Sequence, residues 1–177
     1  KRANYNLWLE RGRRLAQRRM TGRLGFGGSI VSALGWLFLF RSLRQKLGLG
    51  RVRGALSGAA PIAPQVLEFF WAIGVPVREG YGQTEGTAVA TFTPDDDVRI
   101  GKVGKALPGV DLRIAEDGEI LVRSRAVFLG YLKNPEATKE TVDSEGWLHT
   151  GDVGELDEDG FLTITDRKKD IIITAGG

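Results

Sequence analysis

The first third of the chain alternates apolar and basic positions at the spacing of a helix. Between residues 5 and 20 the apolar or small positions lie on one helical face, at Tyr5, Trp8, Gly12, Leu15, Ala16 and Met20. A second helix is predicted from about Ser32 to Leu47, because Gly48 and Gly50 end the periodic pattern. The sequence therefore predicts a helical region over residues 1–53.

Residues 54–93 alternate between strands, glycine-containing turns and a helix. Short strands are predicted at Val52 to Leu56 and Val75 to Arg78, with a helix between them from about Ala63 to Ile73. This alternation is typical of an α/β layer with a parallel sheet. Ligands of such sheets bind at the carboxyl ends of the strands. The turns after the two strands, Ser57 to Pro61 and Gly80 to Gly86, are therefore candidate site loops.

From Pro94 onward the pattern changes to short strands with alternating side chains. Asp-Gly pairs at 117–118 and 159–160 are hairpin signals, and a short helix is predicted at Pro135 to Thr141, where Asn134 can cap. The strands are predicted at Val110 to Ile114, Glu119 to Arg123, Val153 to Leu156 and Phe161 to Thr165. We predict an α/β fold class: part of a parallel sheet layer with helices, then an antiparallel barrel-like or sandwich-like subdomain over residues 94–165.

Charge divides the chain at about the same place as the helical pattern. Residues 1–53 carry 13 Lys or Arg against Glu10 alone, whereas the remainder carries 12 against 21 acidic residues. A basic helical surface has three interpretations: a solvated face, a patch that contacts anionic membranes, or a nucleic-acid surface. The last is not expected, because no recognised nucleic-acid fold or interleaved aromatic residues accompany the charge.

Composition limits the remaining function classes. The absence of cysteine rules out disulfides, a Cys nucleophile and thiolate metal ligands, and a reducing cytosol is the default compartment. No apolar run approaches the roughly 18 residues of a membrane-spanning helix. We therefore expect a cytoplasmic protein, peripheral at the inner membrane surface if the basic helices bind lipid. The chain has no initiator Met, so we expect it to start inside a longer protein.

Residues 80–85 combine a flexible backbone, an aromatic face, a hydroxyl and a carboxylate. Gly80 and Gly82 allow close approach of a ligand, the Tyr81 ring can lie against a purine, the Thr84 hydroxyl can donate to a phosphate, and Glu85 is a hard oxygen ligand for magnesium. The alternative is a tight turn with a helix N-cap at Thr84.

Two later segments supply further charged groups. Asp152, just after a predicted strand and next to a glycine, can accept from both hydroxyls of a ribose; the alternative is an exposed aspartate at a hairpin corner. The cluster Asp166 to Asp170 directly precedes a β-rich segment, and its alternative is a solvated turn. His149, the single histidine, is predicted to be structural.

These segments occur in an order that resembles a known family. The sequence is similar to the adenylate-forming superfamily of acyl-CoA synthetases, luciferases and peptide-synthetase adenylation domains. The helices before Ser57, with the segment Leu43 to Gly48, resemble an insertion of the long-chain fatty-acid CoA ligase branch. Seven pieces match over about 120 residues: 57–61, 80–85, 101–109, 118–120, 130–138, 146–152, and 166–170 with 175–177.

The resemblance implies a role for each matching residue. Gly58, Ala59 and Ala60 would line the acyl and adenine pocket. Tyr81, between Gly80 and Gly82, would flank the adenine, Thr84 would contact the α-phosphate and Glu85 would bind magnesium. Asp152 would hold the ribose hydroxyls with Arg167 nearby. Lys169 would be the hinge about which a small C-terminal domain rotates, so residues 166–177 are predicted to be the hinge and the start of that domain.

The implied reaction joins a fatty acid to CoA at the expense of ATP, with Mg²⁺ as cofactor. The carboxylate attacks the α-phosphate of ATP to give an acyl-adenylate and pyrophosphate, and the CoA thiol then displaces AMP. The phosphate loop and the C-terminal catalytic lysine of the family are absent, so we expect no catalytic residue in this chain and no adenylate formation by it alone. The alternatives are an adenylating ligase with another acceptor, such as a carrier-protein thiol, and a non-catalytic membrane- or nucleic-acid-binding module.

Overall fold

A computed structural model describes residues 2–21, 35 and 40–168. Their contacts form two compact units. The first contains the described residues up to Glu79 together with Thr93–Ile100, and the second contains Gly80–Phe92 and the described residues from Gly101 onward. This division differs from the boundaries predicted at 53, 93 and 165, because residues 80–92 pack with the later strands.

The first unit contains the predicted basic helix. Helix α1 (Arg2–Met20) packs against α3 (Pro64–Ala72), where its Ala16 and Met20 are buried against Trp71. A Cβ on Gly12 would lie 2.7 Å from the carbonyl oxygen of Ala72, so this position lets the two helices approach closely. Helix α2 (Arg41–Lys46) is the end of the second predicted helix, whose earlier part lies mostly outside the described residues.

One parallel strand pair forms the sheet of the first unit. Strand β1 (Ala55–Ser57) runs parallel to the first three residues of β2 (Val77–Tyr81). Helix α3 connects the two strands, as the sequence predicted, and begins with a proline in its first turn, where the missing N–H costs no hydrogen bond. The core beneath them contains Phe40, Leu67, Ile73, Val75 and Val77.

The second unit is built from antiparallel strands. The last two residues of β2 pair with β3 (Thr91–Phe92), which pairs with β4 (Lys105–Ala106). A separate four-stranded sheet follows in chain order: β5 (Val110–Ile114), β6 (Glu119–Ser124), β7 (Leu148–Leu156) and β8 (Leu162–Arg167). The predicted fold class, a parallel layer with helices plus an antiparallel subdomain, is confirmed.

Turn and cap residues act as the sequence predicted. Gly118 and Gly160 adopt φ angles of +83° and +81° in the two hairpins, and only glycine takes this conformation without steric cost. Asn134 caps α4 (Pro135–Thr141) by accepting a hydrogen bond from the Ala137 backbone N–H at 3.1 Å. Strand β7 begins at Leu148 rather than at the predicted Val153, because the segment around Asp152 is part of the strand.

In the described part of the chain, no helix has both the length and the apolar character required to cross a bilayer.

The loop between β2 and β3 is closed by contact of backbone with backbone. The Ala90 N–H donates to the Tyr81 carbonyl at 2.8 Å, and Thr87 and Ala88 both have positive φ angles. A Cβ placed on Gly82 would lie 1.8 Å from the carbonyl oxygen of Ala88. Glycine is therefore required at position 82 by space, because the clashing atoms belong to the backbone and no side chain can relieve the contact by moving.

We predict that Gly82→Ala destabilises the chain strongly. Overpacking of this kind costs about 1–3 kcal/mol, and we expect the upper end because the clashing atom belongs to the backbone. Gly86→Ala is the matched control, since its Cβ would meet only the Leu148 side chain at 3.5 Å. Urea denaturation of both variants measures the free energies of unfolding, and equal losses would contradict the prediction.

The turn between β7 and β8 yields a prediction on pH dependence. Asp157 accepts from Lys102 at 2.5 Å and from the Phe161 N–H at 2.9 Å. The hydrogen bond from Lys102 has the larger effect, and together these contacts lower the pKa of Asp157 from 3.8 to about 2. The ionised carboxylate thus stabilises the fold above about pH 3.8, and this stabilisation disappears as the pH falls towards 2.

Asp157→Asn should therefore lower the unfolding temperature at pH 7, and the difference from the native chain should shrink between pH 4 and pH 2. Glu158→Gln removes one charge from the same turn at an exposed position and serves as control. Thermal unfolding followed by circular dichroism checks this expectation. A difference that persisted at pH 2 would show that the carboxylate charge is not responsible.

Candidate functional site

An irregularity in β7 determines the geometry of the candidate site. Glu119 pairs with Val153 and Leu121 pairs with His149, so three residues of β7 lie opposite Ile120 alone. These three residues are Thr150, Gly151 and Asp152, and we call them the β7 bulge. Bulges leave backbone groups without ladder partners and redirect side chains. The expectation that Asp152 follows a strand, and its alternative as an exposed hairpin corner, are both wrong, because Asp152 is buried within β7.

Side chains and neighbouring backbone groups bind the polar groups of the β7 bulge. The Thr150 hydroxyl donates to the Ile120 carbonyl at 2.7 Å and accepts from the Asp152 N–H at 3.1 Å. The Gly151 N–H donates to the Glu119 carboxylate at 2.9 Å, and the Gly151 carbonyl accepts from the Lys168 backbone N–H at 2.8 Å. Gly151 has a φ of +71°, which favours glycine. Backbone groups of Gly151 and Asp152 thus have hydrogen-bond partners outside the regular ladder.

Tyr81, Asp152 and Arg167 come together beside the β7 bulge. The Tyr81 hydroxyl donates to Asp152 Oδ2 at 2.7 Å, and Arg167 Nε donates to Asp152 Oδ1 at 3.1 Å. Arg167 lies directly opposite Asp152 in the β7–β8 ladder. Tyr81 and Asp152 are 8% and 7% exposed. A buried carboxylate is costly unless it is paired, and here each oxygen has a donor.

Burial keeps Tyr81 a hydrogen-bond donor. Burial is the largest influence on the Tyr81 hydroxyl and raises its pKa; a hydrogen bond with Thr150 opposes this shift, and the neighbouring Asp152 carboxylate adds to it. The hydroxyl is therefore protonated at neutral pH. Its proton is directed at Asp152, which leaves Asp152 as the acceptor of the pair.

Glu85 belongs to a second set of contacts in the same unit. Its Oε1 accepts from the Tyr131 hydroxyl at 2.6 Å, and its backbone carbonyl accepts from the Phe128 N–H at 2.7 Å. The rings of Phe128 and Tyr131 meet edge to face with centroids 4.8 Å apart. The hydrogen bond to Glu85 raises the pKa of Tyr131, so this hydroxyl also remains a donor.

Thr84 lies in a short 3₁₀ helix, Thr84–Gly86, and is exposed. The residue at the N-cap position is Gln83, and its side chain makes no capping bond. The alternative interpretation of Thr84 as a helix N-cap is therefore wrong. Its predicted role at a phosphate stays a prediction.

The other predicted site residues lie elsewhere or outside the described residues. Gly58, Ala59 and Ala60 form an exposed turn after β1 in the first unit, where Ala59 has a φ of +66°. Gly80 is buried on β2, and Gly82 follows in the loop to β3. The predicted hinge residue, Lys169, lies outside the described residues.

The Glu85 carboxylate is suited to bind a magnesium ion. Among the described residues, no group of three or more His, Cys, Asp or Glu side chains could hold a metal by itself. Magnesium is usually bound by one or two carboxylates, several waters and substrate phosphates rather than by a complete protein cage. Glu85 therefore fits a site that a nucleotide completes, and the residues present do not fit a structural metal.

Sequence reasoning did not assign roles to Glu119, Tyr131 and Lys168. Glu119 and Tyr131 lie within segments that match the family, and Lys168 lies within the charge cluster. The sequence indicated no interaction partner for any of the three. Glu119 carried a usable signal: it begins the apolar strand segment Ile120, Leu121, Val122. A carboxylate at such a position is buried only when it is paired.

The chain is similar to known proteins over most of its length. The model of the AMP-binding enzyme family matches residues 16–132. The chain is 54% identical over 135 residues to the putative fatty-acid–CoA ligase FadD11 of Mycobacterium tuberculosis, which covers 76% of this chain and 24% of that protein. It is 50% identical over 139 residues to the long-chain-fatty-acid–CoA ligase FadD15 of Mycobacterium bovis, and the alignment covers 78% of this chain and 23% of that protein.

A solved structure has the same fold. The O-succinylbenzoate coenzyme A synthetase MenE of Bacillus subtilis, in complex with ATP and magnesium ion, superposes with a TM-score of 0.64 at 32% identity, covering 71% of this chain and 28% of that one. The chain spans about a quarter of the length of the curated relatives it matches. The predicted resemblance is confirmed, and the chain belongs to the AMP-binding enzyme family.

Proposed function

We propose that this chain is part of a long-chain fatty-acid CoA ligase and that its second unit binds the ribose and phosphates of ATP. The whole reaction would convert ATP, a fatty acid and CoA into acyl-CoA, AMP and pyrophosphate through an acyl-adenylate. The observation that carries the proposal is the buried Asp152 carboxylate, held between the Tyr81 hydroxyl and the Arg167 guanidinium.

This arrangement suits the recognition of a vicinal diol. An ionised carboxylate is an acceptor with about four lone-pair sites, of which Tyr81 and Arg167 use two. The remaining sites can accept from two ribose hydroxyls. Since Tyr81 and Arg167 already fix the carboxylate, little side-chain freedom is lost when a ligand binds. The Arg167 side chain is 71% exposed, whereas that of Asp152 is 10% exposed.

The matched relatives support the ligase assignment and its substrates. FadD11 and FadD15 are named as fatty-acid CoA ligases, and the MenE structure contains ATP and magnesium. By analogy, Glu85 would bind Mg²⁺, Thr84 would contact the α-phosphate, and the Gly58–Ala60 turn would line the acyl and adenine pocket. Bound magnesium would neutralise the phosphate charge of ATP.

The chemistry requires no nucleophile from this chain. The fatty-acid carboxylate would attack the α-phosphate and displace pyrophosphate, and the CoA thiol would then attack the acyl carbonyl and displace AMP. The chain's part is to position the adenosine and to stabilise charge at the phosphates. The Tyr131 hydroxyl would orient Glu85 through its hydrogen bond.

A second proposal concerns the basic helix α1 and its surface. The exposed side chains of α1 include Arg11, Arg13, Arg14 and Arg18, whereas Leu15, Ala16 and Met20 are buried. These three apolar side chains therefore pack inside the protein and are not available to insert into a bilayer. We propose that this surface contacts anionic membranes through charge alone, at about 1 kcal/mol per basic residue, on a cytoplasmic protein bound peripherally.

Asp152→Asn should weaken nucleotide binding in the full-length ligase. A hydrogen bond to a charged acceptor contributes about 1.5–3 kcal/mol, so the KM for ATP should rise about 10- to 100-fold. Asp111→Asn is the control, because Asp111 pairs with Arg123 at an exposed part of β5. Steady-state kinetics and calorimetric titration with AMP check the effect. An unchanged nucleotide affinity in folded Asp152→Asn would overturn the proposed ribose site.

Vesicle pelleting tests the membrane proposal. The chain should bind vesicles of phosphatidylglycerol and phosphatidylcholine at low salt and release them at high salt, because surface charge is screened within about 10 Å at 0.1 M. The triple change Arg13, Arg14 and Arg18 to Gln should abolish binding. The matched control replaces three exposed basic residues of the second unit, Arg125, Lys133 and Lys139. Equal loss in both triple variants would show that net charge, not the α1 surface, is responsible.

A further inference from the structure

Glu119 is a buried carboxylate with three different donors. Its side chain is 6% exposed. Oε1 accepts from the Gly151 N–H at 2.9 Å, and Oε2 accepts from Lys168 Nζ at 2.9 Å and from His149 Nδ1 at 3.0 Å. Since the carboxylate only accepts, the histidine contributes its Nδ1 proton. No part of the proposed ribose contact involves Glu119, so its bonds require a separate explanation.

The contact with Gly151 satisfies a backbone group that the ladder leaves free. The β7 bulge places three residues opposite one, and a buried N–H without an acceptor would destabilise the fold. Glu119 supplies that acceptor from the neighbouring strand. The Gly151 N–H immediately precedes Asp152, so the position of this bond determines where the Asp152 side chain begins.

The contact with Lys168 connects Glu119 to the residue that directly follows β8. Lys168 makes two hydrogen bonds here: its backbone N–H donates to the Gly151 carbonyl at 2.8 Å, and its Nζ donates to Glu119. Arg167 precedes Lys168 directly and pairs with Asp152 across the ladder. A single carboxylate thus connects the residue before Asp152 with the residue after Arg167.

Surrounding charges keep Glu119 ionised. Burial by itself raises the pKa of Glu119, but the hydrogen bonds from Lys168, His149 and Gly151 outweigh it and the pKa is lowered. Lys168 also pairs with Asp117 at 2.6 Å, and His149 Nε2 lies 3.7 Å from Asp143. The group is therefore a charged cluster with mixed signs rather than a lone buried charge.

We propose that Glu119 is a positioning residue of the nucleotide site, which acts through Gly151 and Lys168 to hold Asp152 and Arg167 at the geometry that a ribose requires. The inference rests on the proposed function. It assigns to the cluster of Glu119, Lys168 and His149 a role in nucleotide affinity in addition to stability, although none of the three needs to touch the nucleotide.

A double-mutant cycle in the full-length ligase tests this coupling. Glu119→Gln keeps the size and one acceptor but removes the negative charge that faces Lys168 Nζ, and we expect the KM for ATP to rise about tenfold with kcat changed less than about twofold. In the Asp152→Asn background the same change should raise the KM for ATP by less than about a further twofold, because the contact through which Glu119 acts is already removed. Asp157→Asn, which breaks a comparable Lys–Asp pair at another turn, should leave the KM unchanged.

Each outcome of the cycle has a distinct meaning. If Asp152→Asn weakens nucleotide binding and Glu119→Gln does not, the inference fails and the proposed function stands. If both weaken it and the effects multiply, Glu119 acts independently of Asp152 and the inference is overturned. If Asp152→Asn has no effect, the proposed function itself fails.

Lys168→Met provides a second variant if Glu119→Gln does not fold. Lys168 has a 44% exposed side chain and tolerates substitution more readily. It should raise the KM for ATP in the same direction and lose this effect in the Asp152→Asn background. A fall in thermal stability with unchanged KM would show that the cluster is only structural and would overturn the inference.

Discussion

The candidate site depends on one constraint. Where a strand carries two more residues than its neighbour, the backbone groups that lose their ladder bonds must find other hydrogen-bond partners. In β7 the extra residues lie opposite Ile120, where ladder bonding is interrupted. Thr150 satisfies one backbone group with its hydroxyl, and Glu119 satisfies another with its carboxylate. Unpaired polar groups are costly in the interior. The bulge therefore persists only with these side chains, and it places a carboxylate where a regular strand would not.

This constraint also explains why residues distant in sequence meet. Tyr81 comes from the end of β2, Asp152 from the bulge and Arg167 from the end of β8. The β7–β8 ladder places Arg167 opposite Asp152, and the tyrosine hydroxyl reaches the other carboxylate oxygen. The three side chains satisfy one another's hydrogen bonds, with Asp152 accepting from both of the others.

Much of the fold could be predicted from local patterns, whereas the support of the site could not. Val110–Ile114 and Pro135–Thr141 were predicted with their observed bounds because turn and cap residues such as Gly118 and Asn134 act locally. Asp152 was placed after a strand, because a bulge is visible only when both strands are aligned. Glu119 was missed for the same reason: its partners Gly151 and Lys168 lie 32 and 49 residues away, and no spacing rule connects them. The helical spacing of α1 predicted its buried face but not which helix covers it.

The close approach of Gly82 to Ala88 also limits how this loop can vary in length. Its two ends are held together by the bond between Tyr81 and Ala90, and its interior is closed by one backbone lying against another. Most surface loops accept insertions and deletions readily. Here an added or deleted residue would have to disturb the backbone contact between Gly82 and Ala88. Any exchange of this segment between related chains must therefore preserve the number of residues as well as the glycine.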